Sequence, residues 1–102
     1  PFEVVVVSDG STDDTDAFLA ESARTSPFVL RPFRQENAGP ARARNRGVRE
    51  ARGAVVVFVD DDVEPQPGFL AAHAAHHDRN PRVAVIGPQS PDPARRRAEP
   101  PW

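Results

Sequence analysis

The sequence predicts an α/β fold, a Rossmann-like parallel sheet whose strands alternate with helices. Two observations carry this prediction. Short β-branched apolar runs alternate with segments whose apolar residues recur at i, i+3 and i+4, and turn residues separate the two kinds of segment. The resulting order is β-α-β-α-β-α-β, which favours a parallel sheet with right-handed crossovers. With 102 residues, the chain is long enough for one small domain with a modest core.

The first strand and helix are predicted from the amino-terminal quarter of the chain. Phe2–Val7 is rich in valine and predicts a buried strand, which ends in the turn Ser8–Gly10. Ser11–Asp14 supplies side-chain oxygens that favour a helix N-cap and acids that suit its first turn. The helix should stop before Pro27, and its apolar face is formed by Ala17, Phe18, Leu19, Ala20 and Ala23.

The second strand and the second helix are predicted from residues 28–53. Residues 28–30 predict a strand that Pro32 should break, which places it near an edge of the sheet. Pro40 fits the first turn of a helix that runs to about Arg52. Gly53 is expected to close that helix as its C-terminal cap.

The third strand is the most apolar run in the chain. Val55–Val59 predicts a strand buried on both faces, and it leads directly into the three carboxylates Asp60–Asp62. A third helix is predicted from Phe69 to about Asp78, and Val83–Ile86 predicts a last strand. The three carboxylates of Asp60–Asp62 repel one another because they are so close, and a bound cation would relieve this repulsion.

Composition sets the domain boundaries and excludes several classes of protein. We expect one partial domain over residues 1–88 and a Pro- and Arg-rich disordered tail or truncated connector over residues 89–102. The formal net charge of −2 indicates no nucleic-acid footprint, and the absence of cysteine excludes disulfides and thiolate sites. The sequence shows neither a signal-peptide pattern nor an apolar run of membrane length, so we expect a cytoplasmic chain.

Parallel topology brings three loops to one edge of the sheet. The loops Ser8–Thr12, Gln35–Pro40 and Asp60–Pro67 each follow a predicted strand, and open α/β sheets bind ligands at this carboxyl edge. The second loop leads into a helix that carries Arg42, Arg44 and Asn45. Helix N-termini and guanidiniums favour phosphates, and carboxylates favour Mg²⁺ or Mn²⁺. The pattern therefore predicts a metal–diphosphate site, with Asp9 free to accept hydrogen bonds from a base or ribose.

Each part of this site also has a simpler structural interpretation. Asp9–Asp16 is equally typical of a capped helix start, and Arg42–Arg52 of a solvated helix face. Asp60–Asp62 is compatible with an ordinary turn. His73 and His77 have metal-ligand spacing but no third ligand of matching pattern, so a partly exposed helix face is favoured there.

Three segments together resemble the inverting family 2 glycosyltransferases. Residues 4–15 resemble the family's second strand and following loop, and residues 35–47 resemble its Asn-x-Gly and Ala-Arg-Asn-x-Gly segment. Residues 58–63 resemble its metal-binding Asp-x-Asp motif, with Asp61 as the middle residue. The three segments occur in the family's order and spacing over about residues 2–70.

The resemblance implies a partial GT-A fold that binds a nucleotide-diphospho-sugar donor with a divalent metal, Mg²⁺ or Mn²⁺. By position, Asp9 resembles the residue that contacts the nucleobase, and Arg44 and Asn45 resemble the helix motif beside the nucleotide. Asp60 resembles the nucleotide-side acid of Asp-x-Asp, and Asp62 resembles the metal ligand. The implied reaction transfers the sugar to an acceptor with inversion, the acceptor being a glycan, a lipid or a small molecule.

Two features of the family are missing from the sequence. Its opening strand, which lies centrally between the strands equivalent to residues 3–8 and 54–59, has no counterpart. Its catalytic base lies in a downstream acceptor half, and nothing after Ile86 resembles it. We therefore expect much of a donor site, no catalytic residue, and no turnover by the isolated chain. Many relatives carry downstream membrane helices, so the resemblance also allows a membrane-associated parent protein.

Two other functions remain open at this point. A module that only binds a nucleotide would need the same residues. Another Mg²⁺-dependent α/β enzyme, such as a nucleotidyltransferase, should show a Gly- and basic-rich phosphate loop after its first strand, and the segment after Val7 has none. A receiver domain needs a lysine at a later strand end, and the sequence contains no lysine.

Overall fold

A computed structural model describes residues 1–90 of the chain, which divides into two compact units, Pro1–Glu64 and a second unit that begins at Pro65. The last residues of the predicted tail, 91–102, lie outside the described residues. Among residues 1–90, no helix has the length and apolar character that crossing a bilayer requires. The first unit contains β1 (Glu3–Asp9), α1 (Thr15–Thr25), β2 (Val29–Gln35) and α2 (Pro40–Glu50), and the second contains α3 (Phe69–Arg79).

β1 and β2 form a parallel two-stranded sheet. Its register runs from Glu3 opposite Val29 to Asp9 opposite Gln35. The parallel pair and its crossover helix confirm the α/β prediction. The prediction that Pro32 breaks the second strand is wrong, because β2 continues through Pro32, which lies opposite Val6. An edge strand tolerates a proline, since only part of its N–H groups donate to the neighbouring strand.

A charged cluster joins the two strands to the end of α2. Arg31 donates from Nη1 to Oε2 of Glu3 at 3.0 Å and to the carbonyl oxygen of Glu50 at 2.7 Å. The backbone N–H of Arg52 donates to Oε1 of Glu3 at 2.6 Å. These donors, the Arg52 N–H first and the Arg31 guanidinium second, lower the pKa of Glu3 below its ordinary value of 4.5.

The end of α2 differs from the prediction. The helix stops at Glu50 with Ala51 as its C-cap, in an extended conformation of φ −65° and ψ 140°, so Gly53 is not the cap. The N–H of Ala51 donates to the carbonyl oxygen of Gly47, and the next residue, Arg52, is held by Glu3. An extended cap needs no left-handed residue, and so the glycine signal was misleading.

The two remaining predicted strands do not form among the described residues. Val55–Val59 and Val83–Ile86 are outside regular structure, and the sheet contains β1 and β2 only. Phe58 remains 56% exposed and Ile86 95% exposed, so the prediction of a strand buried on both faces is wrong here. An apolar run forms a strand only when a neighbouring strand pairs with its backbone, and neither β1 nor β2 pairs with these two segments.

The second unit is described by α3. The helix begins at Phe69 and ends at Arg79 with Asn80 as its C-cap, close to the predicted bounds. His73 is buried, and its ring meets the ring of Phe69 edge-on at a centroid distance of 4.8 Å. The expectation of a partly exposed face is therefore wrong for His73, because an aromatic neighbour covers it.

Candidate functional site

The carboxylate of Asp9 links the loops that follow β1 and β2. Its Oδ1 accepts the side-chain amide of Gln35 at 2.8 Å and the backbone N–H of Ala38 at 2.9 Å, and its Oδ2 accepts the N–H of Gly39 at 2.8 Å. The Gln35 amide, followed by the N–H groups of Ala38 and Gly39, lowers the pKa of Asp9 below its ordinary value of 3.8. Asp9 is therefore ionised at neutral pH, and it holds the start of α2 against the end of β1.

The same two loops also touch at Gly10. This residue has φ +77°, and a Cβ added there would lie 2.8 Å from the Cβ and from the backbone N of Asn37. Only glycine combines that backbone conformation with that separation at little steric cost. The predicted convergence of the first two loops at the carboxyl edge is thus visible as two separate contacts.

The loop that contains the three carboxylates joins α2 through an ion pair. Nη2 of Arg44 donates to Oδ1 of Asp60 at 2.9 Å, with the two side chains 52% and 57% exposed. The N–H of Val63 donates to the carbonyl oxygen of Asp60 at 3.2 Å, which closes a turn at this point. The simple turn and the charged site therefore coexist, since the turn leaves the carboxylates exposed.

A depression of about 550 Å³ lies beside Asp9 in the first unit. Asp61 and Asp13 contribute carboxylates to its lining, and Phe18 and Leu19 contribute apolar surface. Ser8 also lines it: this side chain is 5% exposed, and its Oγ has no hydrogen-bond partner among the described residues. Burial of a hydroxyl without a hydrogen-bond partner costs free energy, so a polar group of a ligand that bonds to the Ser8 Oγ would be favoured in the depression.

Asn45 lines a different depression from Asp9. It lines a second depression of about 450 Å³, on the side of α2 that faces residues 35–38, together with Arg42 and Arg49. Arg44 and Asn45 are neighbours in sequence, but successive helix positions differ by about 100° around the axis. The structure therefore brings Arg44 to Asp60, whereas Asn45 lines the other depression.

The fit of a divalent cation depends on Asp60–Asp62. Within residues 1–90, no three side chains of His, Cys, Asp or Glu converge as a ready-made cage. Mg²⁺ usually takes one or two carboxylates and completes its shell with waters and substrate phosphates, so a cage is not required. Arg44 compensates Asp60, while Asp61 and Asp62 have no cationic partner in the described part of the chain. These oxygen donors suit a hard cation held jointly with a diphosphate.

Two residues at this edge, Gln35 and Ser8, were not singled out by the sequence. Gln35 follows from the register, because it faces Asp9 across the parallel pair. Ser8 gives no sequence signal of its own, since its importance rests on burial and on the lining of the depression. Asp61, which the sequence marks as the middle residue of Asp-x-Asp, lines the same depression. Only pairing and packing distinguish such residues from ordinary turn residues.

The sequence of the chain is similar to those of known proteins. A sequence model described as "Glycosyl transferase family 2" matches residues 1–100. The chain is 33% identical over 86 residues to "Uncharacterized glycosyltransferase YfnE" of Bacillus subtilis (strain 168), which covers 84% of this chain and 22% of that protein. It is 43% identical over 65 residues to "Uncharacterized glycosyltransferase YibD" of Escherichia coli (strain K12), covering 64% of this chain and 19% of that protein.

A relative with a more specific name is "Hyaluronan synthase" of Pasteurella multocida, which is 30% identical over 91 residues. That match covers 87% of this chain and 9% of the relative. The chain thus spans less than a quarter of the length of these curated relatives. No solved structure matches the chain significantly.

Proposed function

The chain belongs to glycosyl transferase family 2, and from this premise we propose that it forms part of the donor site of a glycosyltransferase. In this proposal residues 1–88 bind a nucleotide-diphospho-sugar together with Mg²⁺ or Mn²⁺. The carrying observation lies at the carboxyl edge of the sheet: Asp9 binds the start of α2, and Asp61, the neighbour of the Arg44-paired Asp60, lines the depression beside Asp9. That edge is where open α/β sheets bind ligands.

The residues divide the ligand between them in this proposal. Asp9 contacts the nucleobase, since it is ionised and lines the depression. Arg44 and Asp60 stand beside the ribose and the diphosphate, and Asp62 is the metal ligand. Asn45 belongs to the helix motif beside the nucleotide, and it lines the other depression together with Arg42.

The chemistry proposed is displacement at the anomeric carbon with inversion. A bound divalent cation would supply charge neutralisation to the leaving diphosphate. The chain's own residues hold the donor: Arg44 offers a guanidinium to the phosphates, and Asp9 orients the base. Deprotonation of the acceptor hydroxyl requires a carboxylate base, which we place in the longer protein. In this proposal the longer protein also determines which acceptor is used and whether the enzyme is cytoplasmic or membrane-associated.

Isothermal titration calorimetry with UDP, dTDP and GDP, each with and without Mn²⁺, tests the donor site. At least one nucleotide should bind in a Mn²⁺-dependent manner, and Asp62→Asn should abolish the metal dependence. Asp14→Asn is the matched control, because Asp14 is an exposed acid whose side chain makes no capping hydrogen bond. Absence of binding by every nucleotide, or full metal dependence in Asp62→Asn, contradicts the proposal.

A separate assay tests whether the isolated chain turns over. We expect no sugar transfer and no more donor hydrolysis than in buffer, since no catalytic base is assigned within it. Product formation from any of the corresponding donor sugars, abolished by Asp62→Asn, would contradict that expectation while leaving the donor site intact.

A further inference from the structure

We infer that this site selects a nucleotide whose base presents a single N–H to Asp9, uracil or thymine, and discriminates against guanine. The inference rests on the proposed function, because it takes Asp9 as the contact to the base. It follows from the number of acceptor positions on Asp9 that the protein already occupies.

A carboxylate has about four lone-pair positions, two on each oxygen. Gln35 and Ala38 occupy both positions on Oδ1, and Gly39 occupies one on Oδ2. Among residues 1–90 no other group donates to this carboxylate, so one position on Oδ2 remains for a ligand. Asp9 in the fold can therefore accept one hydrogen bond from a ligand, on Oδ2, whereas a free aspartate can accept on both of its oxygens.

The three bases differ in what they require from such an acceptor. Uracil and thymine carry one ring N–H between two carbonyl oxygens, so one acceptor satisfies their only donor on that edge. Guanine carries a ring N–H and an exocyclic N–H side by side, a pair that a free carboxylate binds with both of its oxygens. At Asp9 the second guanine donor meets an oxygen that is already saturated, and an unmatched donor weakens binding.

The occupying donors are fixed by the fold and are not easily displaced by a ligand. Gln35 faces Asp9 in the register of the sheet, and Ala38 and Gly39 donate from the backbone directly before α2 begins at Pro40. The contact of Gly10 with Asn37 holds the same two loops together independently. A base that displaced one of these N–H groups would leave it without a partner, which gains nothing over water.

Calorimetry with UDP, dTDP and GDP at a fixed Mn²⁺ concentration tests the selection. UDP and dTDP should both bind, and GDP should bind at least about tenfold more weakly than UDP, the cost of one unmatched donor. GDP binding as tight as UDP overturns this inference and leaves the proposed function standing. Absence of binding by all three overturns the proposed function and the inference with it.

A variant tests the lone-pair explanation itself. Gln35→Met keeps the length of the side chain but removes its N–H donor, so one position on Oδ1 becomes free. GDP should then gain affinity relative to UDP by about fivefold to tenfold. The ratio of two affinities measured on one preparation is insensitive to a fraction of unfolded chain. Gln66→Met, in the turn before α3, is the control and should leave the ratio unchanged. An unchanged ratio in Gln35→Met overturns the inference.

Discussion

The side-chain amide of Gln35 donates to Oδ1 of Asp9 at 2.8 Å, and the two residues are partners at the carboxyl end of the parallel sheet. Strand pairing therefore sets the geometry of the candidate site directly. The last residue of β1 accepts from the last residue of β2 and from the backbone that leads into α2. Substitutions that alter these contacts of Asp9 should change both the stability and the ligand affinity of the chain. Substitutions elsewhere should change one of these two quantities without the other.

Replacement of Gly10 by alanine tests the contact between the first two loops. Gly10→Ala should destabilise the chain by about 3 kcal/mol, combining about 1–2 kcal/mol for a left-handed backbone with the cost of overpacking against Asn37. Urea unfolding followed by circular dichroism measures the change.

Gly39→Ala is the control for this substitution. Gly39 has a similar φ of +88°, but a Cβ added there would meet nothing within 4 Å. Gly39→Ala should therefore destabilise the chain only by the cost of the left-handed backbone, without a cost of overpacking. Equal destabilisation by the two variants would show that the separation of Gly10 from Asn37 is not limiting.

The unfolding of the chain should depend on acid through Glu3 and Asp9. Both carboxyls have a lowered pKa in the folded state, so their stabilisation is present above their unfolded values of 4.5 and 3.8 and is lost as the pH falls through the folded values. We expect the urea midpoint to be nearly constant above about pH 5 and to fall below it.

Glu3→Gln should flatten part of this acid dependence, because glutamine carries no titrating group at the positions of the Arg31 and Arg52 donors. Urea midpoints compared at about pH 7 and about pH 3 give the measurement. Glu64→Gln is the control, since Glu64 is exposed and makes no ion pair in the part of the chain that the structure describes. An acid dependence identical in Glu3→Gln and the parent chain would refute the assignment.

Elements with local sequence signals were predictable from the sequence, and elements that need a second strand to pair with were not. The helices were predictable because their signals are local: Pro40 begins α2 and Asn80 ends α3. The strand at Val55–Val59 was not, because a strand needs a second backbone to pair with.

The candidate site shows the same division. Asp9 could be proposed from motif and topology, since parallel strands present their carboxyl ends at one edge, and Asp60 from motif alone, since the strand predicted before it does not form. The bond from Gln35 to Asp9 depends on register, and the buried hydroxyl of Ser8 depends on packing, so neither is visible in the sequence. The separation of Arg44 from Asn45 follows from helix geometry once the faces of α2 are known.

Ser8→Ala should stabilise the free protein. The hydroxyl is buried without a partner among the described residues, and unfolding returns it to water, so its removal should raise the free energy of unfolding by about 1 kcal/mol. Urea unfolding without nucleotide provides the measurement, and a loss of stability of similar size would show that the hydroxyl has a partner in solution. Weaker UDP binding by the stabilised variant would identify Ser8 as a ligand contact.

Arg44→Gln should separate binding from stability. The Arg44–Asp60 pair is exposed on both sides, and exposed ion pairs contribute about 0–1 kcal/mol, so the free energy of unfolding should change little. Nucleotide affinity should fall about tenfold, because a charge-assisted hydrogen bond to phosphate is lost. The affinity of the parent chain should also decrease more steeply with added salt than that of the variant, since one fewer charge is screened. Arg24→Gln removes an exposed arginine that pairs with Glu21 on α1, so it matches the loss of charge away from the proposed donor site. If both variants weaken UDP binding equally, net charge rather than the position of Arg44 controls the affinity.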